Sequence, residues 1–274
     1  MIDEARHHGG YGGHGDQTSQ DVQNFSSVCS ASSVAESSSV ANVDWEAAER
    51  SLDADGFARL PPLLTPDQCS DLAAIYKDAA RFRSVIDMAR FRFGVGEYKY
   101  FAAPLPAVVQ TLREQLYGRL AAIANRWMVR LKPDAITDKT GAYPATLDGF
   151  LRKCHAAGQN RPTPLLLTYS EGGYNCLHQD LYGDLAFPLQ VVFVLSRRDA
   201  DYTGGEFLLV EQRPRAQSRG HALAIEQGAG VIFATSHRPV AGTRGSYRVV
   251  MRHGVSTIRS GSRMSLGIIF HDAR

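Results

Sequence analysis

Two textures divide the chain. From Leu165 to the C-terminus, short apolar runs recur between turn signals: LLLTY, FPLQVVFVL (Phe187–Leu195), EFLLV after Thr203-Gly204-Gly205, HALAI, VIFAT, YRVVMRHGV and RMSLGIIF. Runs of this length and spacing predict seven or eight strands, the pattern of an all-β sandwich or barrel. Upstream the spacing is helical. Asn42 or Asp44 can cap a helix running towards Asp53, and Asp55-Gly56 makes a turn into a short strand, Phe57–Leu60, which Pro61-Pro62 ends. Thr65-Pro66-Asp67-Gln68 has the form of a capping box with Pro at the first helical position, opening a helix with Cys69, Leu72, Ile75, Tyr76 and Ala79 on one face. After Pro104 and Pro106, the series Val108, Leu112, Leu116, Leu120, Ile123, Ala124, Trp127 predicts a long core-facing helix. Lys132 to Pro164 reads as loop-rich.

Residues 1–41 are small and polar (HHGGYGGHG, SSVCSASSVAESSS) and bury too little apolar surface to offset the entropy of ordering. They read as a disordered low-complexity tail, in which His7, His8 and His14 offer at most weak metal binding. The expected organisation is this tail over 1–41, a helical N-terminal region over 42–164, and a β core over 165–274. The fold class is therefore mainly β with helices packed on it, α+β.

Composition narrows the setting. The tail holds one basic and five acidic side chains, so the rest carries 29 basic against 23 acidic, nearly all the basic ones arginine. The stretch RFRSVIDMARFRFGVGEYKYF (81–101) interleaves arginines with aromatics, as a nucleic-acid surface does and as an arginine-laced cleft wall also does. Arg213, Arg215 and Arg219 form a second basic stretch, suited to a phosphate backbone, an acidic peptide or solvent. Four scattered cysteines with no CxxC pair argue against a disulfide framework or zinc module. No apolar run is long enough to cross a bilayer, and the N-terminus lacks the order of a signal peptide. A cytoplasmic protein with no membrane partner is expected, its oligomeric state open.

The chemistry concentrates in YSEGGYNCLHQD (169–180). His178 and Asp180 are two residues apart, so in an extended strand they share a face and can offer nitrogen and oxygen to one ion. The strand that begins at Leu165 is expected to end at this pair. His253, in RHGVS, supplies a third ligand. Two histidines and one carboxylate on one side of a metal form the facial triad of non-haem Fe(II) oxygenases. His237, in SHRPV, is the rival third ligand, but Arg238-Pro239 reads as a bend there. Arg263 follows His253 by ten residues, and Ser265 shares its strand face. His271 has the same parity at the strand's end, which suits the core or a supporting position better than ligation. His155 beside Cys154 reads as incidental.

These stretches, with FGVGEYKYF, LHQDLYGDLAFPLQ, TGGEF, the Arg-Pro-Val of HRPV and LGIIFHDA, resemble the bacterial Fe(II)/2-oxoglutarate-dependent dioxygenases, in particular a group described as acting in oxidative repair of alkylated DNA. The similarity runs from Phe57 to Ala273. It implies a double-stranded β-helix (jelly-roll, cupin-like) in which His178, Asp180 and His253 hold Fe(II). It further implies that Arg263, Ser265 and Tyr169 bind 2-oxoglutarate, with O2 as oxidant and ascorbate as an external reductant. The implied reaction couples decarboxylation of 2-oxoglutarate to succinate with hydroxylation of a C–H bond, in oxidative dealkylation of damaged nucleic acid. The spacing of HxD, H-x-V and G-x-R also resembles prolyl 4-hydroxylases, which leaves a protein side chain as the alternative substrate. A non-catalytic barrel binding a carboxylate through Arg263 is the third reading.

Overall fold

The computed structural model describes residues 39–131, 142–180, 183–243 and 245–274, and these pack as one unit. Most of the expected tail, with its three histidines, lies outside the described residues. Val40, placed in that tail by composition, is buried in a single 3-10 turn, and its carbonyl accepts from the Trp45 indole at 3.0 Å.

Local capping starts the helices where the sequence calls for them. Asp44 accepts from Ala47 N at the start of α1 (Trp45–Asp55), and Gly56 closes that helix in the left-handed region. Strand β1 (Phe57–Leu60) leads to α2 (Pro66–Ile75), whose Thr65–Gln68 capping box is complete. The arginine–aromatic stretch then forms β2 (Phe82–Asp87), β3 (Gly94–Val95) and β4 (Glu97–Phe101). Helix α3 (Ala107–Leu131) is long, and α4 (Leu147–Ala156), capped by Thr146, stands in the span expected to be loop. Leu147, Phe150 and Cys154 are spaced for the one buried face of this helix.

The remaining strands are β5 (Leu165–Ser170), β6 (Tyr174–His178), β7 (Leu189–Val194), β8 (Tyr202–Gly204) and β9 (Phe207–Gln212). They continue as β10 (Arg219–Leu223), β11 (Gly230–Ala234), β12 (His237–Gly242), β13 (Gly245–Val255) and β14 (Ile258–Ile268). One sheet runs β1-β11-β7-β14-β5-β4-β2, and the other β10-β9-β13-β6-β3. The central four of the first (β11, β7, β14, β5) and the four β10, β9, β13, β6 of the second make a double-stranded β-helix, a jelly roll of two antiparallel sheets. The helical region over 42–164 also extends both sheets, through β1, β2 and β4 on one and β3 on the other.

Two expectations change. The chain from Leu165 does not run as one strand to His178: it turns at Gly172, and β5 and β6 belong to opposite sheets. Arg238-Pro239 is not a bend but the middle of β12, paired with β13. Arg238 is buried there against Glu211, with its Nε 3.0 Å from the carboxylate, and Nη1 donates to the Asp53 carbonyl. Arg213 also donates to Glu211, at 2.5 Å, and Arg219 pairs with Asp55 at 3.5 Å, so two members of the expected basic stretch are tied within the chain.

The centre of the first sheet is buried on both faces. On β14, Leu266 and Ile268 pack outward with Leu116, Tyr117 and Leu120 of α3. Arg263 and Ser265 face the interior between the sheets. Such two-sided burial is why β11 reads as an unbroken apolar run and β7 as one broken only by Gln190.

Candidate metal centre and cavity

The space between the sheets is a cavity of about 440 Å³. Its walls bring together the residues that the sequence separates by almost a hundred positions. His253 on β13 lies directly opposite His178 at the end of β6, and their rings are 4.2 Å apart. Asp180 follows β6, its backbone N–H donating to Thr235 O at 3.3 Å. Gln179 between them donates to Ser236 O at 2.7 Å, which holds the segment against the β11–β12 connection. Asp180 Oδ1 is 3.4 Å from His178 Nε2, and Oδ2 is 3.3 Å from His253 Nε2. One ligand atom from each residue lies within 4.8 Å of the other two.

The surroundings suit a cation. His178 Nδ1 is 2.8 Å from the Cys176 carbonyl, so in the neutral ring the proton sits there and Nε2 keeps its lone pair. Burial alone would raise the Asp180 carboxyl, but the flanking His253 and His178 imidazoles hold it well below the usual range. Burial lowers His253 and outweighs Asp180 there. His178 is less enclosed: burial again lowers it, yet the hydrogen bond and charge of Asp180 leave it raised. Phe233 and Phe207 pack at 4.6 and 6.0 Å from the His253 ring and close that side to water. An anionic carboxylate flanked by two imidazole nitrogens is the donor set of a facial triad, and it fits a first-row metal with open positions. His237 is not part of this group; its Nδ1 is 3.1 Å from Ser236 Oγ.

The other wall of the cavity carries a buried cation. Arg263 is 1% exposed, forms no ion pair among the described residues, and its Nε has no hydrogen-bond partner. Nη1 donates to Ser265 Oγ at 3.2 Å. The guanidinium lies between two rings, 5.9 Å from the centroid of Tyr169 and 6.0 Å from that of Tyr202. Tyr169 is the cross-strand partner of Arg263. Its hydroxyl accepts from Asn175 at 3.3 Å, and burial pushes its pKa up to about 12, so it retains a proton to donate. The Gly204-Gly205 turn makes room for this arrangement: a Cβ on Gly205 would lie 2.9 Å from Arg263 Cδ, and its φ of +61° disfavours other residues. A buried guanidinium without a carboxylate is costly, and a carboxylate ligand resolves it with paired charge-assisted hydrogen bonds.

The Oxygenase-NA family model, described as an oxygenase catalysing oxidative methylation of damaged DNA, matches residues 96–273. The chain belongs to this family. With the His–Asp–His group and the buried arginine in one cavity, it is an Fe(II)/2-oxoglutarate-dependent oxygenase, an oxidoreductase. It is 53% identical over 173 residues to uncharacterized protein Rv2227 of Mycobacterium tuberculosis, covering 63% of this chain and 72% of that protein. Among solved structures it is similar to a prolyl-4-hydroxylase from Pseudomonas putida (15% identity, 84% of this chain and 99% of that one, TM-score 0.46). It is also similar to a 2OG-Fe(II) oxygenase family protein from Burkholderia pseudomallei (16% identity, 84% and 93%, TM-score 0.45).

Other cavity residues carried no role in the sequence reading. Tyr98 and Tyr100 enter from β4, Asn175 from β6 and Gln190 from β7. Gln190 is a polar residue at an inward position of an otherwise apolar run, and that was its signal. His271 is fully buried and accepts from Phe187 N at 3.2 Å, outside the metal group. His155, expected to be incidental, pairs with Asp272 at 3.0 Å, and Asp272 is held from the other side by Arg113 at 2.8 Å.

Proposed function

We propose that His178, Asp180 and His253 hold Fe(II), that Arg263, Ser265 and Tyr169 bind the far carboxylate of 2-oxoglutarate, and that the substrate is an N-alkylated base in single-stranded nucleic acid. The carrying observation is that the three-ligand group and an unpaired buried guanidinium line the same cavity. Bound Fe(II) supplies dioxygen activation coupled to oxidative decarboxylation. The protein's residues position the reactants: Arg263 and Ser265 fix one end of the co-substrate, Tyr169 donates its retained proton to the same carboxylate, and Phe207 and Phe233 exclude water. Overall, dioxygen and 2-oxoglutarate become carbon dioxide and succinate, with one oxygen atom in succinate and the other inserted into a C–H bond. On an N-methyl group the hydroxymethyl product releases formaldehyde and restores the N–H.

The nucleic-acid reading is supported by the family description and by the cavity mouth. Phe91 and Phe93 are about half exposed and stacked on each other at 5.5 Å, beside Arg90 and Arg92. Arg92 and Phe93 also form part of the cavity wall. Exposed aromatic rings with adjacent arginines give a stacking and phosphate surface for an unpaired strand. Ascorbate enters this proposal only as an external reductant. A cytoplasmic setting is supported by Cys69, Cys154 and Cys176 being unpaired thiols, and no described helix is long and apolar enough to cross a membrane.

The test supplies Fe(II), 2-oxoglutarate and air with a single-stranded oligonucleotide carrying one N-methylated base, and separately with a proline-rich peptide. Formaldehyde and succinate in equal amounts from the oligonucleotide are expected. Succinate driven by the peptide alone would move the assignment to a protein side chain.

A further inference from the structure

Gln190 is a cavity side chain used by neither the metal group nor the Arg263 end. It sits at the second position of β7 and shares a face with Val192 and Val194, which pack between the sheets with Tyr169, Phe207 and Phe233. That parity aims its amide into the cavity whose wall it forms. Gln190 is 5% exposed, and its Nε2 has no hydrogen-bond partner. A buried donor without an acceptor is destabilising where an apolar residue would not be, so the acceptor is expected from a ligand.

Its position selects which ligand. Ser265 pairs with Val194 and Gly267 with Val192, so Gln190 lies four residues along β7 from the level of Ser265. At about 3.3 Å per residue this is roughly 13 Å, beyond a co-substrate carboxylate held by Arg263 and Ser265. On β11 the partner of Gln190 is Phe233, whose ring packs against His253, which places Gln190 at the metal end. Tyr98 and Tyr100 line the same cavity with rings 5.5 Å apart, and Arg83 backs Tyr100 at 4.6 Å. The Tyr100 ring, aliphatic Leu165 and Ile269, and one unpaired amide suit a flat heterocycle with a hydrogen-bond acceptor on its edge.

We propose that Gln190 reads the alkylated base: its amide N–H donates to an acceptor on the base edge while Tyr100, which through β5 and β14 is level with Val192 and so nearer to Gln190 than Tyr98 is, contacts the ring. This rests on the nucleic-acid reading above and adds the residue that recognises the base.

The experiment measures formaldehyde release from a single-stranded oligonucleotide with one N-methylated adenine, for wild type, Gln190→Leu and Gln190→Glu. Leu fills the space without hydrogen bonding; Glu keeps the shape but, ionised, has no donor. Both are expected to raise the oligonucleotide KM about 10–100-fold while keeping the visible absorption of the Fe(II)–2-oxoglutarate complex. Active wild type with unchanged KM in both variants overturns the role of Gln190 and leaves the nucleic-acid reading standing. Loss of the absorption in both variants also overturns it, by placing Gln190 at the iron or co-substrate. No formaldehyde from wild type overturns the nucleic-acid reading and this inference with it.

Discussion

His178 and His253 are directly opposed on the antiparallel strands β6 and β13, with their rings 4.2 Å apart. The grouping of His178 with His253 is therefore a consequence of strand register. A slip of one residue would turn His253 to the outer face, where its neighbour Arg252 is exposed. Close approach helps to fix that register. A Cβ on Gly254 would lie 2.6 Å from the Asn175 carbonyl, so only glycine lets β13 lie this near β6 beside the histidine.

Arg263 makes opposite predictions with and without co-substrate. Alone, its guanidinium is buried and unpaired, so Arg263→Met is expected to unfold at a higher temperature than wild type in the absence of ligand. With 2-oxoglutarate, only wild type should gain stability, because only it binds the ligand in the native state. Loss of a charge-assisted partner of about 2–5 kcal/mol corresponds to a 2-oxoglutarate affinity lower by about 30-fold or more. Thermal melts with and without the co-substrate check both signs; equal ligand shifts in the two proteins would remove Arg263 from the site.

His271 predicts an acid-sensitive term in stability. Burial pushes its pKa down to about 4, with Arg113 acting in the same direction. The folded protein therefore binds this proton more weakly than the unfolded chain, whose imidazole titrates near 6.5. Stability from this group is complete above that value and is lost as pH falls towards 4, by about 3 kcal/mol at most. Urea unfolding of wild type and His271→Asn at pH 7 and pH 4.5 checks it. The variant is expected to lose less stability between the two, and parallel losses would contradict the assignment.

The Phe91–Phe93 stack predicts salt-dependent strand binding. Replacing both with Ala should weaken single-stranded oligonucleotide binding by about 1–3 kcal/mol per lost base stack, leaving the salt slope nearly unchanged. Arg92→Ala should reduce that slope by about one phosphate contact. Fluorescence anisotropy across a salt series reads both, and wild-type binding by the double variant would show that the strand passes elsewhere.

The β core was legible because its strands are apolar and regularly punctuated, and β7 and β11 are buried on both faces. That His178, Asp180 and His253 come together was legible because HxD and H-x-V are compact local signals. Strand β6 was not: none of its residues Tyr174 to His178 is buried, so no alternation marks it off from β5. Strands β2 and β4 were hidden for a related reason. Four of the five residues of β4 are half-buried, and Tyr98 and Tyr100 face the cavity rather than an apolar core. Helix α4 carried its amphipathic spacing in only ten residues, between segments rich in Gly and Pro. The pairing of Arg219 with Asp55 and of His155 with Asp272 is tertiary, and no local spacing announces it.

The most direct test of the central claim is anaerobic addition of Fe(II) and then 2-oxoglutarate, reading the visible charge-transfer band of the chelate. Wild type is compared with Asp180→Ala, His253→Ala and His237→Ala. Removing a ligand should cost more than the roughly 10–100-fold in metal affinity typical of outer-shell partners, so the band should vanish in the first two variants and persist in the third. A band that survives in Asp180→Ala and His253→Ala, or that is absent from wild type, would contradict the assignment of these residues as the iron site.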